Sequence, residues 1–311
     1  MAPDYPSLID PPTWAFIRAT DAAYPPDTAT LSIAEQRMIY DRMCRAFHQG
    51  YPAGVTATDR AFGGVPCRHY PGTDATVVYF HGGGFVVGGL HSHDDICAEI
   101  RASTGFHVVS VDYRLCPEHP HPAAFDDAVA ATRAISSRLP HPLILVGDSA
   151  GANLAAATTQ SIGRNQAYGI MGQILIYPGL GGNRDAGSYL THANAPMLTR
   201  DDVLFYARTR HATAEPPPDP TFAPLSDSDF SGLPPTLAIA AECDPLADDA
   251  HAYATRVTAA GGRAYAITEA GLVHGYLRAR ATVPRAAASF ARIINAITAF
   301  AAGDWPYEDA P

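Results

Sequence analysis

The chain has 311 residues, of which 47% are hydrophobic and 17% charged, and its formal net charge is −10. This length and apolar content are enough for one large domain, or for a domain with a small lid, and argue against disorder. The acidic balance and the absence of a basic patch argue against binding to nucleic acid through its phosphates.

The basic residues also limit the chemistry. All 21 of them are arginines, because the sequence contains no lysine. A Schiff-base enzyme and a P-loop nucleotide-binding protein each need a lysine, so both classes are excluded.

Cysteine usage and the start of the chain indicate the compartment. The five cysteines are odd in number and widely spaced, with no Cys-x-x-Cys pair, which is typical of reduced thiols. The first arginine is Arg18, and the residues before it lack the basic region and the continuous apolar core of a signal peptide. No run approaches eighteen consecutive apolar residues. We therefore expect a cytoplasmic protein without a membrane segment.

The first predicted elements are a helix and a hairpin. Residues 1–30 are rich in proline, aspartate and aromatic residues, and residues 31–48 have apolar positions at helical spacing, with Ser32 and Glu35 as a capping box. From residue 54 to 80 the pattern changes to short strands with a turn at Gly63-Gly64 and a buried strand at 76–80. This predicts a hairpin that leads into a sheet.

Strands and helices then alternate along the chain. The pattern predicts strands at 106–111, 143–146, 173–177, 236–241 and 264–268, and helices near 123–138, 150–163, 246–260 and 283–301. This order is typical of an α/β protein with a mostly parallel central sheet flanked by helices. The alternation stops between Gly179 and Pro220, where a glycine-rich turn, a short helix at 201–210 and a proline run indicate an inserted lid.

The most informative motif is Gly147-Asp-Ser-Ala-Gly151, directly after an apolar run and before an alanine-rich, helix-compatible stretch. This context puts Ser149 at a strand-to-helix elbow. The two glycines let the strand and helix backbones pass close to each other, where a side chain would collide. Ser149 is therefore the candidate nucleophile.

A second motif, His81-Gly82-Gly83-Gly84, follows the strand that ends at Phe80. Glycines leave their backbone N–H groups unscreened, so this loop can bind an oxyanion. The alternative is a flexible turn. His81 is interpreted as structural, with a ring that anchors the loop by hydrogen bonding.

The candidate acid is Asp244, just past a strand and before Pro245, at the edge of the sheet where active sites gather. An aspartate before proline at a helix start is also an ordinary N-cap, and the sequence leaves the two interpretations about even. Glu242 is a nearby substitute that is expected to point elsewhere.

The candidate base is His274, after the last predicted strand. The chain has 13 histidines, and most histidines are surface residues. The order Ser149, Asp244, His274 singles this one out, because it is the order nucleophile, acid, histidine of an α/β-hydrolase.

Together these motifs resemble the hormone-sensitive-lipase family of bacterial α/β-hydrolase esterases, and within it the acetyl esterase branch. The resemblance rests on motifs across residues 79–276, at 81–85, 113–118, 122–126, 147–152, 244–248 and 274–275. Residues 33–37 extend it to the N-terminal cap of that branch. Two positions differ from many relatives, Ala152 and Cys116, and neither takes part in bond-making in the family.

The resemblance implies an α/β-hydrolase fold with a small, mainly helical cap. The chain would divide into an N-terminal cap segment (1–50), a first core part (51–179), an inserted cap or lid segment (180–220) and a second core part (221–311). The cap would limit the depth of the pocket and so favour short acyl chains.

The resemblance also implies a mechanism. Ser149 attacks an ester carbonyl, His274 accepts its proton and Asp244 orients the imidazole. The oxyanion hole is expected among Gly82, Gly83, Gly84 and Ala150. No metal and no cofactor is expected, and the partner is a small-molecule ester, with no nucleic acid, no membrane and a homodimer as one option.

Two alternatives stay open at this point. One is a deacetylase or amidase that uses the same residues on a larger substrate. The other is a ligand- or partner-binding protein on the hydrolase fold, a class in which one of the three residues is usually lost. All three are present here, which favours an enzyme.

Overall fold

A computed structural model of the chain describes residues 3–25, 28, 31–211 and 218–307. Some residues of the expected cap segments lie outside the described residues, namely 1, 2, 26, 27, 29, 30 and 212–217. Residues 308–311 at the end of the chain also lie outside them. The described residues form an eight-stranded sheet between two layers of helices, which confirms the α/β-hydrolase fold class.

The sheet has the strand order β1-β2-β4-β3-β5-β6-β7-β8. A hairpin that turns at Gly63-Gly64 joins β1 to β2, as the sequence predicts, and β2 runs antiparallel to both of its neighbours. The strands from β4 to β8 are parallel. Their bounds are β1 Thr58–Phe62, β2 Val65–Tyr70, β3 Thr73–Phe80, β4 Phe106–Val111, β5 Leu143–Asp148, β6 Ile170–Ile176, β7 Thr236–Cys243 and β8 Ala264–Val273.

Helices cover both faces because the central strands are apolar on both sides. In β3, Val77 and Tyr79 belong to one core, and Val78 and Phe80 belong to the other. The first core lies under the helices α4 (Asp94–Thr104) and α10 (Pro284–Ala302), and the second under α5 (Ala123–Ser136), α6 (Ala150–Ile162) and α9 (Ala247–Ala259). The helix α4 was not predicted from the sequence.

The described residues of the N-terminal segment form three helices, α1 (Tyr5–Leu8), α2 (Pro11–Asp21) and α3 (Ile33–Phe47). The predicted capping box at the start of α3 is confirmed: the Ser32 hydroxyl accepts from the Glu35 N–H at 3.3 Å, and the Ser32 N–H donates to the Glu35 carboxylate at 2.9 Å. No helix was predicted before residue 31. In the structure, the Asp10 side chain caps α2 by accepting from the Thr13 N–H.

The segment 180–220, which the sequence predicts to be an insertion (the inserted segment), contributes α7 (Gly187–Thr191) and α8 (Arg200–His211). The second lies within one residue of the predicted helix at 201–210. A hydrogen bond joins α7 to α9: the Asp248 carboxylate accepts from the Ser188 N–H at 2.8 Å. Across the described part of the chain, no helix has the length and apolar character needed to cross a membrane.

Candidate active site

Ser149 lies in a sharp turn between β5 and α6. Its φ of 53° and ψ of −116° are outside the ordinary range for a residue with a side chain, and its N–H donates to the Ile176 carbonyl at 2.9 Å. A Cβ atom at Gly147 would lie 2.3 Å from the Gly151 carbonyl oxygen, and one at Gly151 would lie 1.9 Å from that of Phe80. The close strand–helix approach expected from the motif is therefore present.

The Ser149 hydroxyl is hydrogen-bonded to His274, which in turn is hydrogen-bonded to Asp244. Ser149 Oγ lies 2.8 Å from His274 Nε2, and His274 Nδ1 lies 2.6 Å from Asp244 Oδ2. A carboxylate oxygen accepts, so Nδ1 carries the proton and Nε2 is left to accept from the hydroxyl. Asp244 is fully buried and 12% of the His274 side chain is exposed. This arrangement can remove a proton from Ser149 as the hydroxyl attacks.

The structure also separates the two interpretations of Asp244. Helix α9 begins at Ala247 with Leu246 as its N-cap, so Asp244 is not the N-cap and Pro245 is not the first helical residue. Its second oxygen, Oδ1, nevertheless accepts from the Leu246 N–H at 2.9 Å. Glu242 points elsewhere, since its carboxylate accepts from the Gly271 N–H at 2.6 Å.

The glycine loop turns tightly beside Ser149. Gly83 and Gly84 have φ values of 131° and 60°, and the Gly83 carbonyl accepts from the N–H groups of Val86 and Val87. Gly83, Gly84 and Ala150 line the same cavity as Ser149. Ala150 opens α6, where N–H groups have no partner within the helix. These three residues can present donors to an oxyanion.

The prediction for Gly82 is contradicted by its hydrogen bond. Its N–H donates to Asp148 Oδ1 at 3.0 Å, so it is not available to a bound oxyanion. A Cβ atom at Gly82 would lie 2.4 Å from Asp148 Oδ2. This glycine is needed for the close approach of the loop to that carboxylate.

Asp148 is a residue of the site that the sequence analysis missed. It is 2% exposed and also accepts from the Tyr79 hydroxyl at 2.9 Å, and His93 Nε2 lies 3.2 Å from its Oδ1. Burial opposes its charge, but His93 and these hydrogen bonds outweigh burial and hold its pKa well below the usual range. Its position next to Ser149 in Gly-Asp-Ser-Ala-Gly is the sequence feature that could have identified it as a residue of the site. Asp148 fixes the glycine loop against the serine elbow.

His81 anchors the loop from the other side. It is fully buried, its Nδ1 donates to the Gly82 carbonyl at 2.8 Å, and its ring stacks on that of Tyr113 at 4.3 Å. Burial is the main reason that its pKa falls to about 4, so it is neutral near pH 7. These contacts agree with its structural interpretation.

Backbone strain is concentrated around the cavity. Among the described residues, five that are not glycine have a positive φ, and only Asp74 of these lies away from the cavity. The other four, with φ from 34° to 74°, are Phe85, Ser149, Tyr177 and Met197. Such conformations cost energy and persist at functional sites, where packing enforces them. The strain at Phe85, Tyr177 and Met197 is an indication of function independent of the Ser149 motif.

The cavity itself has a volume of about 330 Å³. Its walls combine the core with both expected cap segments: α3 contributes Tyr40 and Met43, and the inserted segment contributes Leu198 and Tyr206. This volume is at the low end of the range for ligand pockets.

Arg210 joins the inserted segment to the core at the cavity wall. It is 4% exposed, donates to the Phe222 carbonyl at 2.9 Å and to Asn153 Oδ1 at 3.2 Å, and lies 3.6 Å from the centre of the Phe85 ring. Burial lowers its pKa to about 9, so it keeps its charge near pH 7. Nothing in its sequence context indicated this position.

Comparisons with known proteins agree with this geometry. A family model described as the alpha/beta hydrolase fold matches residues 77–278. The chain is similar to the carboxylesterase NlhH of Mycobacterium tuberculosis (strain CDC 1551 / Oshkosh), with 37% identity over 231 residues, which covers 71% of this chain and 72% of that protein. It is also similar to the acetyl esterase of Salmonella choleraesuis (strain SC-B67), with 31% identity over 76% of this chain and 77% of that protein.

Among solved structures, the ester-hydrolase EH1AB1 from the metagenome of Lake Arreo superposes with a TM-score of 0.85. The two share 30% sequence identity, and the alignment covers 94% of this chain and 99% of the other. The likeness therefore extends over nearly the whole of both chains.

Proposed function

We propose that this chain, which belongs to the α/β-hydrolase family related to hormone-sensitive lipase and is a carboxylic ester hydrolase, acts through Ser149 on esters of short acyl chains. The observation that carries the proposal is the continuous hydrogen-bonded path from Ser149 through His274 to buried Asp244, opening into a small cavity. A triad with this geometry activates a serine for acyl transfer.

In the proposed reaction, Ser149 Oγ bonds to the ester carbonyl carbon while its proton passes to His274 Nε2. The N–H groups of Gly83, Gly84 and Ala150 stabilise the oxyanion, and removal of one such donor typically costs about 3 kcal/mol of transition-state stabilisation. The protonated His274 then gives its proton to the departing alkoxide. A water molecule, deprotonated by His274, releases the acyl group as a carboxylic acid and restores Ser149.

The preference for acetyl to butyryl esters is supported by the cavity size and by the side chains from both expected cap segments that line it. Among the relatives, the names acetyl esterase and, for a protein of Pseudomonas putida with 30% identity, ethyl acetate hydrolase point the same way. The reaction needs no metal or cofactor beyond these side chains.

The test is turnover of p-nitrophenyl acetate, butyrate and octanoate by the wild type and by Ser149→Ala. We expect acetate and butyrate to exceed octanoate in kcat/KM, and the variant to lose about 10³-fold or more of kcat. Undiminished turnover by Ser149→Ala would refute the mechanism. Faster hydrolysis of p-nitroacetanilide than of p-nitrophenyl acetate would favour the amidase alternative.

A further inference from the structure

Arg278 has unused hydrogen-bonding capacity at the wall of the cavity. It lies four residues after His274, in a short 3₁₀ turn (Tyr276–Ala279), and lines the cavity together with Ser149. Its Nη2 donates to the Tyr40 hydroxyl, and its guanidinium lies 5.1 Å from the centre of the Tyr40 ring. Its Nε is buried without a hydrogen-bond partner. A guanidinium has five N–H donors, and its hydrogen-bonding partners among the described residues are the Tyr40 hydroxyl and the Cys44 side chain, so not all of the donors are used within the protein.

No carboxylate is paired with this charge in the part of the chain that the structure describes. By contrast, Arg280, two residues further on, has ion pairs of 2.7 Å with Asp95 and 2.6 Å with Glu99. The carboxylate that acts on Arg278 through space is Asp148. Its oxygens are already engaged by Tyr79, Gly82 and His93. Arg278 is only partly exposed to water. Because a charge without a counter-ion in such a place is costly, an anion bound beside Arg278 would be stabilised.

The other charges around the cavity act in the same direction. Arg184 and Arg210 line it as well, while the carboxylates among its lining residues are Asp148 and Asp21, and Asp21 is exposed at the surface. The cavity wall therefore carries more positive than negative side chains in a protein whose net charge is −10. Such a wall attracts an anionic ligand and repels a cationic one.

We propose that the preferred substrates are esters that carry a carboxylate on the acyl or the alcohol side of the scissile bond, and that Arg278 binds this carboxylate. The inference rests on the proposed function, because it names the substrate class of the same site. A guanidinium matches a carboxylate in shape and can donate two parallel hydrogen bonds to it. The bound carboxylate does not react: the bonds made and broken remain those of ester hydrolysis at Ser149.

The first experiment compares two isosteric substrate pairs with the wild-type protein. Monoethyl succinate against ethyl succinamate places the charge on the acyl side, and acetoxyacetate against acetoxyacetamide places it on the alcohol side. We expect kcat/KM to be at least about tenfold higher for the anion in one of the pairs, mainly through KM. Equal or faster turnover of the neutral amide in both pairs would overturn the proposal.

The second experiment assigns the preference to Arg278. In Arg278→Gln, the kcat/KM values of the anion and the neutral amide in the preferred pair are expected to differ by no more than about threefold. The matched control is Arg285→Gln, which removes an arginine of α10 that pairs with Asp10 at the start of α2 and does not line the cavity. The control should keep the wild-type ratio of kcat/KM for the anion to kcat/KM for the neutral amide. A ratio that survives in Arg278→Gln would show that Arg278 is not the binding residue.

Inhibition provides a measurement that needs no variant and stands even where Arg278→Gln does not fold. Succinate should inhibit p-nitrophenyl acetate turnover with an inhibition constant at least about tenfold below that of succinamate. Equal inhibition constants would count against the proposal. Failure of the proposed function looks different, because p-nitrophenyl acetate itself would then be hydrolysed equally by the wild type and by Ser149→Ala.

Discussion

Asp244 makes two contacts with one carboxylate, one with His274 and one with the loop before α9, although it is not the N-cap of that helix. Oδ2 meets His274, while Oδ1 accepts from the Leu246 N–H at the approach to α9. A single residue thus holds the imidazole and the start of a helix in fixed relation to each other. Asp148 likewise connects two parts of the site, because it ends β5 next to Ser149 and accepts from the glycine loop at Gly82.

The contribution of Asp244 to catalysis can be separated from its contribution to the loop. Asp244→Asn keeps an oxygen for Leu246 but reverses the hydrogen-bonding requirement at His274 Nδ1, so we expect kcat to fall about 10³- to 10⁴-fold. The matched control is Asp248→Asn in the first turn of α9, whose carboxylate contacts Ser188 rather than His274. It should lower kcat less than about tenfold. Steady-state kinetics measure both variants. Equal and small losses of kcat in the two variants would contradict the assignment of Asp244 as the residue that orients His274.

At the scale of elements, the site exists because the ends of three strands meet at one edge of the sheet. Ser149 follows β5, Asp244 follows β7 and His274 follows β8, and these strands are parallel. The elbow also depends on α6 approaching β3 through Gly151, where a methyl group has no space.

Gly151→Ala tests this approach. The new Cβ would overlap the Phe80 carbonyl, so β3 and α6 would have to move apart, and we expect the melting temperature to fall by about 10 °C or more. Gly89→Ala is the control, because its Cβ would meet only Asp112 Oδ1, at 3.3 Å. Thermal unfolding followed by circular dichroism measures both. Similar melting temperatures for Gly151→Ala and the wild type would contradict the steric argument.

At the scale of the whole molecule, one buried carboxylate holds the inserted segment on the core. Asp249 of α9 is 1% exposed and accepts from the Leu180 N–H at 2.6 Å, the Gly182 N–H at 3.3 Å and the Tyr189 hydroxyl at 3.0 Å. Burial is the largest influence and raises its pKa to about 6, despite these hydrogen bonds. Tyr189 lines the cavity, so this contact connects α9 to the substrate site.

This shift predicts a pH-dependent effect on stability. Because the pKa of Asp249 is higher in the folded than in the unfolded state, its contribution is fully present below about pH 4 and is lost as the pH rises through about 6, by ~3 kcal/mol at most. Asp249→Asn stays neutral, so its melting temperature should gain a few degrees over the wild type at pH 7.5 relative to pH 4. Thermal unfolding at both pH values checks this, and a constant difference between the two proteins would contradict it.

Local patterns in the sequence were enough to predict the sheet and the elbow at Ser149. The order nucleophile, acid, histidine then made Asp244 and His274 the candidates, with the role of Asp244 left about even between catalysis and helix capping. The periodicity of strands and helices depends on residues close together in sequence. Parallel strands then bring their carboxyl ends to one edge of the sheet. The capping box at Ser32 and the hairpin at Gly63-Gly64 followed from local rules in the same way. The helix α4 was missed, although it too is a local element.

Contacts between distant segments were decided only by the tertiary structure. Whether a loop N–H is open or engaged depends on what packs against it, which is why Gly82 was wrongly placed among the oxyanion donors while its N–H donates to Asp148, 66 residues away. Arg278, which has no ion pair among the residues that the structure describes, is likewise positioned by Tyr40, 238 residues away in sequence. The sequence thus determined the fold and which residues stand at the strand ends, and tertiary packing decided which polar groups remain free to meet a substrate.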